Sequence, residues 1–291
     1  MKSTTGEKIF YACNYLLLTL IGLSCLLPIV HILALSFSDA HSVASGKVVF
    51  WPVSWTFESY ASLLKGTNIV NAFKNNVVLT VVGTVSSMAC TILAAYPLSR
   101  RDMYGRRAFT LAIVFTMLFS GGIIPNYLVI KSLGLLNSYG AIWLPGLVSV
   151  FNMLVLKTYF EGLPSEMEEA ARIDGCSEWR LILQIVLPLS KPVIAALTLF
   201  YAVGFWNQFM NVLIYMDDTT RYNLTVMVQQ MIQSQSILQD MNNMQPEDAA
   251  KLTPETIKSA GVIVMLVPML VVYPFLQKYF VKGVMIGAIK G

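Results

Sequence analysis

A chain of 291 residues in which 56% are apolar and only 12% are charged, with a mean hydropathy of +0.63, is not the composition of a soluble globule. The net charge of +4 could be read as a nucleic-acid surface, but the basic residues cluster beside apolar runs, where membrane orientation accounts for them. The lipid bilayer is therefore the expected environment, with no nucleic acid as partner. Four cysteines without CxxC or Cys/His spacing, and two isolated histidines, His31 and His41, argue against a disulfide framework and a metal centre.

Crossing ~30 Å of hydrocarbon takes about 20 helical residues, and apolar runs of that length recur along the chain. Span one covers 9–36, and its apolar run is too long for the core of a cleaved signal peptide. The polar stretch 37–71 carries Trp51, Trp55 and Tyr60, an aromatic set suited to the membrane interface. Span two, 72–98, ends in a loop with Arg100, Arg101, Arg106 and Arg107, which marks that loop as cytoplasmic. Span three, 108–130, contains Gly121-Gly122 and Pro125, an interruption expected to kink the helix where it lines a cavity. Span four covers 138–159, span five 193–215 and span six 260–280. The segment 216–259 is polar, and Pro246, Glu247 and Pro254 predict short helices separated by turns.

Six spans place both termini, the arginine loop and the loop 161–192 on one side. Thirteen of the twenty Lys and Arg fall there, so the positive-inside rule makes that side the cytoplasm. The whole chain reads as one transmembrane domain, 1–291, of all-α class.

The loop 161–192 is charge-rich and strongly patterned. Ser165 with Glu168 fits a capping box. Residues 166–174 then read as a helix roughly 13 Å long, with Met167, Ala170 and Ala171 on one stripe, Ile173 at its edge, and Glu168 paired with Arg172 at i,i+4. Gly175 stands where a left-handed glycine ends a helix. A second helix is predicted over about 178–186, with Pro188 and Pro192 punctuating the return to apolar sequence. A small-faced helical knob between two spans is built for docking into a groove.

Glu169-Ala170-Ala171, three residues, Gly175, nine residues, Ile185, one residue and Leu187-Pro188 match the EAA motif of bacterial ABC importer permeases in order, spacing and position after the fourth span. Residues 95–100, 133–137, 205–207 and 279–283 further resemble the carbohydrate branch of that family, close to the second permease of maltose-type importers. The likeness covers nearly the whole chain. It implies a type I ABC importer permease fold with six transmembrane helices in the bacterial cytoplasmic membrane, in which the knob is the coupling helix seated on a cytoplasmic ATPase. Carried across, Glu169, Ala170, Ala171 and Gly175 form its core, and Ile185 and Pro188 fix its exit. The implied partners are a second, related permease in a heterodimer, two ATPase subunits and an extracytoplasmic solute-binding protein.

The sequence contains no G-x-x-x-x-G-K-[ST] phosphate cradle. Hence no cofactor is expected in this chain, ATP and Mg belong to the partner ATPases, and the subunit is not itself an enzyme. For a substrate path, the polar and aromatic residues within spans are Asn126 and Tyr127 in span three, Asn152 in span four, and Trp206, Asn207, Gln208 and Asn211 in span five, with Asn207 and Asn211 one turn apart. Amides and rings suit a sugar or oligosaccharide; the competing reading is helix–helix hydrogen bonding. The branch includes importers of uronate-containing oligosaccharides, although few Lys or Arg lie along the spans. The near absence of acids and bases at span centres weighs against an ion-coupled secondary transporter, and the lack of any catalytic constellation there weighs against an intramembrane enzyme.

Overall fold

The structure, a computed structural model, describes the backbone of residues 4–242 and 254–288. All regular structure among them is helical. In chain order the helices are α1 (Thr5–Ser36), α2 (Ala40–Ala44), α3 (Glu58–Gly66), α4 (Ile69–Ser99), α5 (Arg106–Leu118), α6 (Ile123–Ser132), α7 (Gly140–Trp143), α8 (Val150–Glu161), α9 (Ser165–Ile173), α10 (Glu178–Leu181), α11 (Leu187–Leu189), α12 (Lys191–Trp206), α13 (Met210–Tyr215), α14 (Leu224–Asn242) and α15 (Pro254–Ala288). The chain divides into two compact units, 1–69 with 227–267 and 70–226 with 268–291.

In the first unit, α1 starts four residues before the expected Ile9. Thr4 and Glu7 form a capping box, Thr4 N–H donating to Glu7 Oε2 at 2.8 Å and Glu7 N–H to Thr4 Oγ1 at 3.3 Å. Every residue from Thr5 to Pro28 is exposed, and a helix apolar on all sides is stable only where hydrocarbon replaces water. At its end, Ala34 and Leu35 pack with Val43 and Val48, and the Asp39 side chain caps α2. Trp51 and Trp55 stay exposed, but Tyr60 turns inward and donates to Ser36 Oγ at 3.0 Å. The polar segment 216–259 contains α14, a 19-residue helix, rather than the short helices expected; Pro246 and Glu247 lie outside the described residues. α15 begins six residues before span six and continues eight beyond it.

In the second unit, α4 realises span two as a continuous helix, and the core gathers around Leu79, Met153, Leu156, Phe160, Leu181, Val186 and Leu197. Spans three to five depart from simple helices. Span three is two helices, α5 and α6, bent by 114° at Gly121-Gly122, where Gly122 has φ +85°. Span four is divided: α8 holds only 12 residues, about 18 Å at 1.5 Å per residue, and residues 144–149 before it are not helical. Pro145 removes a backbone donor there. The freed backbone is taken up from elsewhere, since Ser149 N–H donates to Tyr201 Oη at 2.9 Å, as unwound backbone at membrane depth requires. Span five breaks after Trp206, where Asn223 Nδ2 claims the Gln208 carbonyl at 2.6 Å and Thr225 Oγ1 that of Trp206 at 3.0 Å.

Close approach fixes how α4 meets α12. A Cβ at Gly83 would lie 2.9 Å from three ring carbons of the buried Phe205, so only glycine permits that contact. Trp143 Nε1 donates to the Leu79 carbonyl at 3.0 Å on the same stretch of α4.

Candidate functional site

The loop 161–192 builds its site from α9 outward. The expected capping box is not formed: Pro164 is the N-cap and Ser165 is already inside the helix. Glu168 is instead bonded by Arg100 Nη1 from the end of α4, and its expected i,i+4 partner Arg172 pairs with Glu178 Oε1 at 2.9 Å. Burial explains the exchange. An exposed i,i+4 pair contributes only about 0.2–0.5 kcal/mol, whereas Arg100 and Glu168 are 18% and 10% exposed, and a charge so far out of water must be paired. The Arg100 guanidinium also lies 4.5 Å from the Tyr96 ring centroid. Tyr96 Oη donates to Glu178 Oε2 at 2.8 Å. The Glu178 carboxylate in turn holds the Arg172 guanidinium above its ordinary pKa, against a smaller opposing cost of desolvation.

The two alanines of the motif separate. Ala171 is buried in the core cluster, while Ala170 faces outward with Met167 and with Ile173, which is 86% exposed. Glu169 is exposed too. The outward apolar stripe is therefore Met167, Ala170 and Ile173, spaced three residues apart, and not the expected Met167, Ala170 and Ala171. Gly175 ends α9 with φ +78°. Its N–H donates to the Arg172 carbonyl and Cys176 N–H to that of Ala171, each at 3.0 Å, which is the full Schellman arrangement.

The second helix also differs from expectation. α10 passes into a π turn over Ile182–Val186 and then α11, so Pro188 lies inside the helical run. Leu187 N–H reaches back to the Ile182 carbonyl, and this wider turn accommodates a ring that would crowd a regular helix. Ile185 is half-buried against the core and Pro188 is exposed. The run then turns by 85° into α12.

Between α9 and the end of α4 lies a cleft of 520 Å³ lined by Arg100, Arg101, Asp102, Glu161, Glu168, Glu169 and Arg172, among others. At its margin Glu161 accepts from Arg106 and, at 2.7 Å, from Lys157.

A second cavity, of 370 Å³, opens among the spans and brings together Asn152, Gln208, Ser149, Tyr201 and the rings of Phe151, Phe200 and Phe205. Of the seven expected path residues, only Asn152 and Gln208 line it. Asn211 stands behind, donating from Nδ2 to Gln208 Oε1 at 3.0 Å. Asn207 is exposed at the break after α12 and donates to its own helix at the Val203 carbonyl, so Asn207 and Asn211 share no helical face. Trp206 is buried edge-on against Phe73. Asn126 is exposed on α6, and the Tyr127 ring stacks on that of Tyr215.

Sequence reasoning missed Tyr96, Arg100 and Glu178 as parts of the site, and Tyr201 as the hub of the cavity, where its hydroxyl meets Thr91 Oγ1 at 2.6 Å. A local signal for Arg100 exists, since it directly follows the apolar run of span two. Its partner lies 68 residues away.

The profile of the family described as binding-protein-dependent transport system inner membrane component matches residues 76–286. The polygalacturonan/rhamnogalacturonan transport system permease protein YtcP of Bacillus subtilis is 42% identical over 98% of this chain and 99% of its own length. Protein LplC of the same organism is 40% identical over 100% of this chain and 98% of its own. Among solved structures, a bacterial ABC transporter involved in the import of the acidic polysaccharide alginate contains a chain that superposes with a TM-score of 0.87 at 30% identity, over 96% of this chain and 99% of that one. The matching family profile and the likeness along nearly the whole chain agree: the chain belongs to the binding-protein-dependent transport system inner membrane components, and is a permease subunit of an ABC importer with the type I fold.

Proposed function

We propose that this permease passes a sugar oligosaccharide from an extracytoplasmic solute-binding protein into the cytoplasm. The observation that carries the reading is the 370 Å³ cavity, in which two amides and three phenyl rings converge with no charged side chain among its lining. Amides bond hydroxyls, and rings stack on the apolar faces of pyranose units. ATP hydrolysis is supplied by two partner ATPases, one of which receives α9 through Met167, Ala170 and Ile173, with Glu169 and Gly175 setting the edge and end of that surface. A second, related permease completes the path, and the two halves alternate in access because ATP favours one state over the other. Both termini, the arginine loop and α9 face the cytoplasm in this arrangement.

A second reading, import of uronate-containing oligosaccharides, is supported by the polygalacturonan/rhamnogalacturonan and alginate substrates in the names of its relatives. The importer, purified through a tag on this chain and placed in proteoliposomes with its binding protein, tests both. Uptake of labelled oligogalacturonides and of neutral maltooligosaccharides is compared with ATP inside, without ATP, and with ionophores. ATP-dependent uptake unaffected by ionophores is expected; uptake that follows an ion gradient instead would establish a secondary carrier. Replacing Asn152 and Gln208 together by Leu is expected to lower uptake about tenfold, in line with losing two buried hydrogen bonds to substrate.

A further inference from the structure

α9 is joined along the chain to α8 on one side and, through α10 and α11, to α12 on the other. Neither connection reaches α4. The side chains do. Tyr96 and Arg100 stand one turn apart at the end of α4; Arg100 is stacked 4.5 Å from the Tyr96 ring centroid and bonds both carboxylate oxygens of Glu168 in α9. Arg172, one turn beyond Glu168, pairs with Glu178 Oε1 at 2.9 Å, and Tyr96 donates to the other oxygen of Glu178 at 2.8 Å. With the turn of α9 between Glu168 and Arg172, these five residues close a circuit across the end of α4, α9 and α10.

We infer that this circuit is a latch that makes the end of α4 move as one body with α9, so that a stroke delivered to α9 reaches a span that does not adjoin the loop along the chain. The inference rests on the assignment of α9 as the helix the ATPase drives. The links are unequal. Arg172 and Glu178 are about half exposed, and such a pair adds little by itself; its part is to aim Glu178 at Tyr96. The Arg100–Glu168 pair is the strong one, because both partners are largely out of water and Arg100 Nε and Nη2 find no acceptor among the described residues. Removing Glu168 leaves a mostly buried guanidinium without a counter-charge, a state that proteins avoid. α9 and α4 therefore separate only by breaking that pair, and an approach of one is an approach of both. Tyr96, Arg100, Glu168 and Glu178 are positioning residues in this scheme, since none lies on the outward stripe that meets the ATPase.

The test uses the assembled importer. Spin labels at Leu93→Cys on α4 and Glu166→Cys on α9, with Cys13, Cys25, Cys90 and Cys176 replaced, report the separation in nucleotide-free and vanadate-trapped states. With the latch intact, the distance is expected to agree between states to within about 2 Å, the scale of a small helix shift; a larger change would overturn the rigid coupling. In R100A the two states are expected to differ, and uptake to fall about tenfold, within the range of ordinary coupling factors, while the ATPases still co-purify. R100E with E168R is expected to restore uptake to within about threefold of native by re-forming the pair in reverse. Undiminished uptake in R100A, or ATPases lost from it, would show that Arg100 shapes α9 without transmitting through it. Ile173→Asp addresses the assignment beneath: ATPases that remain bound to that variant would remove α9 as the docking helix, whatever the labels report.

Discussion

Gly175 is held by conformation and not by space. A Cβ there meets nothing within 4 Å, yet φ is +78°, a region that costs an ordinary L-residue about 1–2 kcal/mol. Gly175→Ala is accordingly expected to destabilise the loop by that amount and to weaken ATPase co-purification, with Gly175→Asn milder because Asn tolerates the left-handed region. Gly175→Pro, which also removes the N–H bonded to Arg172, is expected to abolish uptake. Glu169 is exposed, so Glu169→Lys is expected to leave thermal stability unchanged within about 0.5 kcal/mol while reducing ATPase binding in a pull-down. In the cavity, Asn211 acts through Gln208, whose Oε1 it fixes. Replacing Asn207, whose side chain donates to Val203 in its own helix, is expected to spare uptake, unlike Gln208→Leu.

At the scale of elements, the broken spans share one logic. In spans four and five the break occurs where a side chain from another part of the chain satisfies what the helix leaves open: Tyr201 at Ser149, Asn223 at Gln208, Thr225 at Trp206. Ser149 and Gln208, at these two breaks, both line the cavity. The contact of α4 with α12 depends on Gly83. Gly83→Ala places a methyl 2.9 Å from the ring of the buried Phe205, so one of the two must shift. Overpacking of that kind costs about 1–3 kcal/mol. The expected outcome is a lowered midpoint in a thermal aggregation assay and a displaced Phe205 wall, read as reduced uptake; Gly146→Ala, with no neighbouring atom closer than 3.5 Å, serves as the milder control.

At the scale of the molecule, exposed apolar area is the dominant fact. α1 offers its side chains outward along nearly its whole length, and α4 and α15 are also long and apolar enough to cross a bilayer. The proposed direction of insertion rests on the asymmetry of Lys and Arg. Cysteines placed at Tyr104, which is 97% exposed, and at Trp51, 74% exposed, provide the check. A membrane-impermeant maleimide applied to intact cells or spheroplasts is expected to label Trp51→Cys alone, and to reach Tyr104→Cys only after the membrane is opened. Labelling of both from outside would reverse the assignment of α9 to the cytoplasm.

What the sequence determined by itself is whatever depends on near neighbours along the chain. Hydropathy over about 20 residues marks spans, so α1 and α4 were legible to within a few residues. A glycine after an amphipathic turn marks a helix end, and Gly175 falls where expected because the Schellman bonds join residues at most five apart. The helix α9, with Met167 and Ala170 on one exposed face, was legible for the same reason. Tertiary structure decided the rest. It chose Arg100 over Arg172 as the partner of Glu168, since burial between α4 and α9 outweighs a solvated local pair. It turned Ala171 inward and left Ile173 out. It ended α12 after Trp206 by bonds from Asn223 and Thr225, and so dispersed a set of path residues that a continuous helix would have aligned. Local periodicity cannot foresee such choices, because the groups that make them arrive from distant parts of the chain.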